Sequence, residues 1–259
     1  MRSKLIVLTF PLLLSCQQKK NLLSEFKTVP VKNELLSQNP YKMILEIPLP
    51  AGYRRITGEP GSFAEWLRNL QLKKDKRVYK FDGRLKYNQT AQFAIVNMTV
   101  GNKDLQQCAD AVMRLRAEYF YFHNEFNKIN FTDNNGKSYP FREPYNRNAF
   151  QKYLELVFSM CGTASLAKQL TTHVELKDMI PGDVLIRGGF PGHAEIVMDV
   201  AVNDAGKKIF LLAQSYMPAQ DFHVLRNPLS TFSPWYEVGD DLQIQTPEYT
   251  FSKYELKRW

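Results

Sequence analysis

The 259-residue sequence predicts an α+β domain in which an antiparallel sheet packs against helices. Apolar residues recur at helical spacing in the middle of the chain, whereas the last third alternates in the manner of strands separated by turns. Hydrophobic residues make up 44% and aromatic residues 13% of the chain, which is enough for a buried core. We therefore expect one folded domain over residues 39–259.

The first residues have the parts of a bacterial export signal. Positive charge at Arg2 and Lys4 precedes an apolar run from Leu5 to Leu14, which a small residue, Ser15, follows. The run is shorter than the roughly 20 apolar residues that a membrane-spanning helix needs. We expect residues 1–15 to be removed as a signal peptide.

The segment Leu13-Leu14-Ser15-Cys16 resembles a bacterial lipobox, in which the cysteine is acylated before cleavage makes it the new N-terminus. This resemblance implies that lipid on Cys16 tethers an exported protein to a membrane of the cell envelope. Several acyl chains on one residue bind far more firmly than a single chain. Residues 16–38 are polar and charged, which is typical of a flexible spacer.

Charge and motif content exclude several functions. The formal net charge of +8 is spread thinly, and the densest basic segment, Lys73-Lys74-Asp75-Lys76-Arg77, is short and contains an acid. Because nucleic-acid binders concentrate basic residues on one face, we expect no nucleic-acid partner. The sequence lacks Cys-x-x-Cys, His-Glu-x-x-His and a phosphate-binding Gly-rich loop, so we expect neither a metal nor a cofactor.

Helix start and stop signals place the predicted elements of the first two thirds. A strand is predicted at 43–49, and Ser62-Phe63-Ala64-Glu65 fits a capping box that begins a short helix. Apolar residues recur at helical spacing from about Lys103 to His123, which predicts the longest helix. Another helix is predicted from about Asn148 to Gln169, with Gly162 as its weak point.

The last third predicts an antiparallel hairpin after a turn. Pro181-Gly182-Asp183 forms the turn, and a glycine-rich loop at 188–192 precedes strands at 193–202 and 208–216. Strand alternation gives the first of these two strands two faces. One face contains Ala194, Ile196, Met198 and Val200, and the other contains His193, Glu195, Val197 and Asp199.

Three residues follow the order that a cysteine hydrolase requires. Such an enzyme needs a thiolate, a base that takes and returns its proton, and a group that orients the base. Cys108 on the long helix, His193 at a strand start and Gln214 on the next strand fit these roles. If the strands pair, Gln214 or Ser215 is expected opposite His193, and Ser215 is a candidate for substrate binding. Gly192 lets a backbone approach a ligand beside them.

These residues also have structural interpretations. Cys108 lies on the apolar stripe of its helix, where a buried thiol is common, and His193 is compatible with a turn cap. Arg114 and Glu118 are spaced for a salt bridge within the helix, but beside a cleft Arg114 would bind a substrate carboxylate. Cys161 is a rival nucleophile without a neighbouring base. Cys108 and Cys161 are compatible with a disulfide or with free buried thiols.

The candidate site resembles that of the NlpC-type papain-like cysteine peptidases, secreted enzymes that cut amide bonds in wall peptides. The resemblance lies in Gln107-Cys108-Ala109, Pro181-Gly182-Asp183-Val184, Gly192-His193-Ala194-Glu195-Ile196-Val197 and Leu212-Ala213-Gln214-Ser215. It implies a papain-like core with extra N-terminal and C-terminal elements, and wall peptide or another envelope amide as substrate. Ala109-Asp110 replace the Ser-Gly pair that usually follows the nucleophile. The alternative is therefore a binding lipoprotein with the same fold and no turnover.

Longer phrases resemble a family of bacterial lipoproteins known as domain of unknown function 4846. They are Asp104-Leu105-Gln106-Gln107-Cys108-Ala109-Asp110-Ala111, Arg114-Leu115-Arg116-Ala117-Glu118-Tyr119, Gly188-Gly189-Phe190-Pro191-Gly192-His193-Ala194 and Leu211-Leu212-Ala213-Gln214-Ser215-Tyr216-Met217-Pro218-Ala219-Gln220. This resemblance extends over the chain that follows the signal peptide and implies no activity.

Overall fold

The computed structural model describes residues 38–259. The predicted signal peptide, Cys16 and the predicted spacer up to residue 37 lie outside the described residues. Within the described part of the chain, no helix has both the length and the hydropathy to cross a membrane.

An antiparallel sheet of nine strands forms the centre of an α+β fold. Its strands are β1 (Tyr53–Arg55), β2 (Gln92–Ile95), β5 (Thr172–His173), β6 (Val184–Arg187), β7 (His193–Asn203), β8 (Lys208–Gln214), β9 (His223–Leu225), β10 (Tyr236–Glu237) and β13 (Leu256–Arg258). The main path is β2-β9-β8-β7-β6-β13-β5, with β1 paired to β7 and β10 paired to β8. Separate hairpins join β3 (Asn130–Thr132) to β4 (Ser138–Pro140) and β11 (Gln243–Gln245) to β12 (Thr250–Ser252).

The helices are α1 (Phe63–Arg68), α2 (Cys108–Phe122), α3 (Arg147–Met160) and α4 (Thr163–Gln169). The longest predicted helix starts at Cys108 rather than near Lys103. Its start is fixed because the Asp110 carboxylate accepts the backbone N–H of Gln107 at 3.0 Å, which caps the first turn. The second predicted helix is divided at Gly162 into α3 and α4.

The predicted strand at 43–49 is wrong, because Ile44–Glu46 forms a 3₁₀ helix instead. Ile44 and Ile47 are both fully buried. Residues three apart lie on one side of a 3₁₀ turn, whereas strand alternation would place them on opposite faces. The segment therefore packs against the core as a turn.

A β-bulge in β7 changes which residues face the helices. The register with β8 shifts between Val197 and Asp199, and an inserted residue reverses the alternation beyond it. Val200 therefore joins the buried cluster that contains Val197, rather than the one that contains Met198. Asp199 pairs with Arg68 of α1 at 2.7 Å, so the predicted faces are correct only as far as Met198.

The Pro-Gly-Asp turn joins three separate parts of the chain. Gly182 has φ +95°, and a Cβ added there would lie 2.8 Å from the ring of Phe63 in α1. The Asp183 carboxylate accepts hydrogen bonds from the Arg258 guanidinium at 2.6 and 2.8 Å. This turn therefore fixes α1 and the C-terminal strand at the entrance to β6, which leads into the strand that begins at His193.

Candidate active site

A cleft of about 440 Å³ lies where the N-terminus of α2 meets the start of β7. Both Cys108, the first residue of α2, and His193, the first residue of β7, line it. The N–H groups in the first turn of a helix have no partner within the helix, and the helix dipole favours negative charge there. Cys108 therefore lies in the first turn of α2, whereas a helix that began near Lys103 would place it beyond the first turn.

The glycine-rich loop places His193 by close backbone packing. A Cβ added to Gly192 would lie 2.4 Å from both the Gly189 carbonyl oxygen and Oγ1 of Thr163, and 2.9 Å from the Arg187 carbonyl oxygen. Thr163 is the first residue of α4. Only glycine fits between these groups, so α4 and the end of β6 together determine where β7 begins.

The His193 ring is held by several polar partners. Its Nε2 lies 2.6 Å from Oε1 of Gln214 and 3.5 Å from Oε1 of Glu195, and the Cys108 thiol is a further electrostatic neighbour of the ring. Burial lowers the pKa of His193, but Cys108 and Glu195 outweigh it and raise the value to about 10. The surroundings therefore favour an imidazolium at neutral pH.

Glu195 lies beneath His193 with no exposure to solvent. Its Oε1 accepts the Thr246 hydroxyl at 2.8 Å, and its Oε2 has no hydrogen-bond partner among the described residues. Burial raises the pKa of this carboxyl group, while His193 opposes the rise. The negative charge of Glu195 is thus most favourable when His193 is protonated.

Gln214 connects His193 to a second polar group. Its Nε2 donates to Oε2 of Glu248 at 2.8 Å and lies 3.5 Å from Nε2 of His223. Lys86 forms an ion pair with Glu248, and both side chains are largely buried. The network therefore extends from the cleft to a cation on the loop before β2.

Aromatic rings enclose the other sides of His193. The ring centroids of Tyr216 and Tyr249 each lie 4.9 Å from that of His193, and Phe251 lies at 5.9 Å. At the rim, Phe190 is 97% and Met217 is 61% exposed. The histidine is thus shielded from water, beside an opening with apolar side chains at its edge.

Asp110 is buried on the floor of the site. Burial raises the pKa of its carboxyl group well above the usual range, and its Oδ1 has no hydrogen-bond partner among the described residues. Burial thus disfavours a negative charge on Asp110 beside the Cys108 thiol. The Ala109-Asp110 sequence therefore opposes a thiolate less than its residue types alone suggest.

The structure brings together only part of the predicted site. His193 is hydrogen-bonded to Gln214 and lies in the same cleft as Cys108 and Gly192. Arg114 does not line the cleft. Its guanidinium bonds to Gln106 and to the backbone of Thr99 and lies 3.5 Å from Glu118, which agrees with the helix salt bridge.

Ser215 does not line the cleft, and its hydroxyl contacts the backbone instead. Its hydroxyl lies 3.0 Å from the Gln106 carbonyl oxygen and 2.9 Å from that of Gln220. This contact ties the end of β8 to the segment that leads into α2. Ser215 thereby helps to hold Cys108 near Gln214.

Cys161 lines the cleft as a second free thiol. Burial raises its pKa to about 11, so it is a poor nucleophile at neutral pH. Within residues 38–259, no group of three or more His, Cys, Asp or Glu side chains is arranged to hold a metal ion.

Sequence reasoning assigned no role to Glu195, Glu248, Lys86 or the aromatic rings. Glu195 had a detectable signal, because alternation already placed it on the same face as His193. Glu248 and Lys86 lie far from the other site residues in the chain. No local pattern could therefore have joined them to Gln214.

The fold and the site define an α+β protein with a Cys-His-Gln group at the junction of a helix and a sheet. Residues 44–144 and 141–258 match the sequence profile of a family described as a domain of unknown function (4846). The match extends over most of the chain, so the protein belongs to this family. No curated protein and no solved structure shows significant similarity to it.

Proposed function

We propose that the protein is an exported, lipid-anchored cysteine hydrolase that cleaves an amide of the cell envelope, with wall peptide as the favoured substrate class. The observation that supports this proposal is that Cys108 lies in one cleft with His193, which is hydrogen-bonded to Gln214. Its arrangement is similar to that of papain-like enzymes, with nucleophile at a helix N-terminus and base on a strand. The lipid anchor rests on the resemblance of residues 13–16 to a lipobox.

The two ring nitrogens of His193 have different tasks in this mechanism. Since Gln214 and Glu195 face Nε2, Nδ1 is the nitrogen that remains for Cys108. Transfer of the thiol proton to Nδ1 yields a thiolate and an imidazolium. The amide oxygen of Gln214 accepts a hydrogen bond from the N–H group at Nε2. The ring is thereby held in the tautomer that the reaction requires.

The reaction then proceeds through an acyl-enzyme. The Cys108 thiolate forms a bond to the amide carbonyl carbon, and the carbonyl electron pair moves to oxygen. The backbone N–H of Cys108, at the free end of α2, is placed to donate to that oxyanion. The carbon–nitrogen bond breaks as the leaving amine takes the proton from Nδ1 of His193, which leaves a thioester.

Water completes the cycle. His193 takes a proton from the attacking water, and the second tetrahedral intermediate collapses to release the carboxylic acid product and the Cys108 thiolate. Each proton that His193 donates is thus recovered from water. The burial of His193 among aromatic rings keeps bulk solvent from competing with these transfers.

The two thiols of the cleft allow an internally controlled test. The full-length protein is treated with iodoacetamide at about pH 7, below the usual cysteine pKa of about 8.5, and peptide mass spectrometry measures both alkylation rates. We expect Cys108 to react much faster than Cys161, and His193→Ala to slow Cys108 by about tenfold or more, because a His-paired thiol is largely ionised at neutral pH. Cys161 should keep its rate.

Turnover is tested with wall-peptide fragments and the Cys108→Ala variant. Cleavage that requires Cys108 supports a hydrolase. The alternative is a binding lipoprotein, which the 8% exposure of Cys108 favours. An inert Cys108, together with fragment binding without cleavage, would replace the proposal with that alternative.

A further inference from the structure

The orientation of the Gln214 amide is determined by groups outside the Cys-His-Gln group. Its nitrogen faces Oε2 of Glu248 at 2.8 Å and Nε2 of His223 at 3.5 Å. Nδ1 of His223 lies 2.8 Å from the carbonyl oxygen of Asp221, so this nitrogen donates. Burial lowers the pKa of His223 to about 3, so the ring is neutral and its Nε2 is an acceptor.

Two acceptors therefore lie on one side of the Gln214 amide. The NH₂ group must face them, which turns Oε1 toward His193. If the amide were reversed, an oxygen would face the Glu248 carboxylate and an NH₂ group would face the Nε2 proton of His193. Both contacts would be repulsive.

Glu248 is itself held in place from its other side. Lys86 forms an ion pair with it, and Nδ2 of Asn88 donates to its Oε1 at 3.2 Å. Burial lowers the pKa of Lys86, while Glu248 opposes the fall. Lys86 is 8% exposed and therefore depends on this carboxylate for its charge balance.

We infer that Glu248, fixed by Lys86 and Asn88, is a positioning residue that orients the Gln214 amide and thereby the proton of His193. This role rests on the proposed function of Cys108 and His193, and extends it to a residue on the segment between β11 and β12. Glu248 does not line the cleft and touches no reacting atom.

The variant Glu248→Ala tests this role through the reactivity of Cys108. Loss of the acceptor frees the amide to reverse, which weakens the charge-assisted hydrogen bond to His193. We expect the alkylation rate of Cys108 at about pH 7 to fall by about tenfold, the effect of one hydrogen bond to a charged group. The rate at Cys161 should not change. Should the alanine variant not fold, the double variant Lys86→Met/Glu248→Leu provides the same test, because it leaves no unpaired charge.

Two further variants separate positioning from general stability. The Glu248→Gln variant keeps an acceptor oxygen for the Gln214 amide. Its Cys108 alkylation rate should stay within about threefold of the wild-type rate, because the hydrogen bond to Gln214 is retained. Asp183→Asn removes a different buried carboxylate, whose partner is Arg258, and should lower stability without slowing Cys108. A Gln variant as slow as the Ala variant would overturn the inference.

A double-mutant cycle completes the test. If Glu248 acts through Gln214, then Glu248→Ala should have no further effect in a Gln214→Ala background. Two outcomes would contradict the role of Glu248 but not the proposed function. One is that the two substitutions slow Cys108 alkylation multiplicatively, and the other is that Glu248→Ala alkylates at the wild-type rate while Gln214→Ala is slow. Failure of His193→Ala to slow Cys108 would contradict the proposed function itself. The titratable groups that face His193 are Cys108, Glu195, Tyr216, His223 and Tyr249, and the Glu248 variants leave all five in place.

Discussion

The first residue of α2, Cys108, and the first residue of β7, His193, face the same cleft. The position of each side chain is determined by the residue at which its helix or strand begins. The start of α2 is fixed by the Asp110 cap, and the start of β7 by the packing of Gly192. Substitutions at Asp110 or Gly192 should therefore affect the site more than the rest of the fold.

Removal of Cys108 should lower the pKa of His193. Cys108 and Glu195 together raise that pKa from 6.5 to about 10, so Cys108→Ala leaves only Glu195 to oppose burial. Because the folded pKa lies above the unfolded one, this charge stabilises the fold below about pH 6.5, and the effect is lost as pH rises through about 10. An NMR titration of the His193 ring in both proteins measures the change, and identical midpoints would contradict it.

The variant Asp110→Asn should be more stable than wild type at neutral pH. The raised pKa of Asp110 means that the folded protein binds a proton that the unfolded chain releases, so stability falls as pH rises above 3.8. Asparagine keeps an oxygen to cap Gln107 and carries no charge, so we expect a gain of about 1 kcal/mol. Urea unfolding near pH 7 and near pH 4 measures this gain, which should shrink at the lower pH. A loss of stability at neutral pH would show that the charged carboxylate is the form that caps α2.

The variant Gly192→Ala should destabilise the fold and disturb His193 together. An added Cβ would overlap with the Gly189 carbonyl oxygen and Oγ1 of Thr163, each 2.4 Å away. Overpacking of this kind costs about 1–3 kcal/mol. Gly239→Ala is the matched control, since a Cβ there meets nothing within 4 Å. Thermal unfolding and the His193 NMR signal are the measurements, and equal behaviour of the two variants would refute the packing role.

Local patterns predicted the elements best where one interaction decides the structure. The hairpin of β7 and β8 was predicted nearly to the residue, because alternation and the Asn203-Asp204-Ala205-Gly206 turn agree. The split at Gly162 was also predicted as a weak point. The start of α2 was not, because apolar spacing continues back to Leu105, and only the Asp110 side chain shows where the helix begins.

Contacts between distant parts of the chain could not be predicted from one sequence. The bulge at Val197–Asp199 follows from the pairing of β7 with β8 and from the position of Arg68, neither of which the strand sequence contains. In the same way, the spacing of Arg114 allowed either a salt bridge with Glu118 or a contact with a substrate carboxylate, because spacing does not show which helix face borders a cleft. Its guanidinium is instead used by Gln106 and Thr99.

The position of β13 within the sheet joins two strands that do not pair with each other. Leu256–Arg258 lies between β6 and β5 and pairs with both, so each of these strands depends on β13 for a neighbour on that side. Unpaired strand edges readily bind other chains. Loss of β13 would therefore expose the edges of both β6 and β5 at once, so one short strand protects the sheet from pairing with other chains.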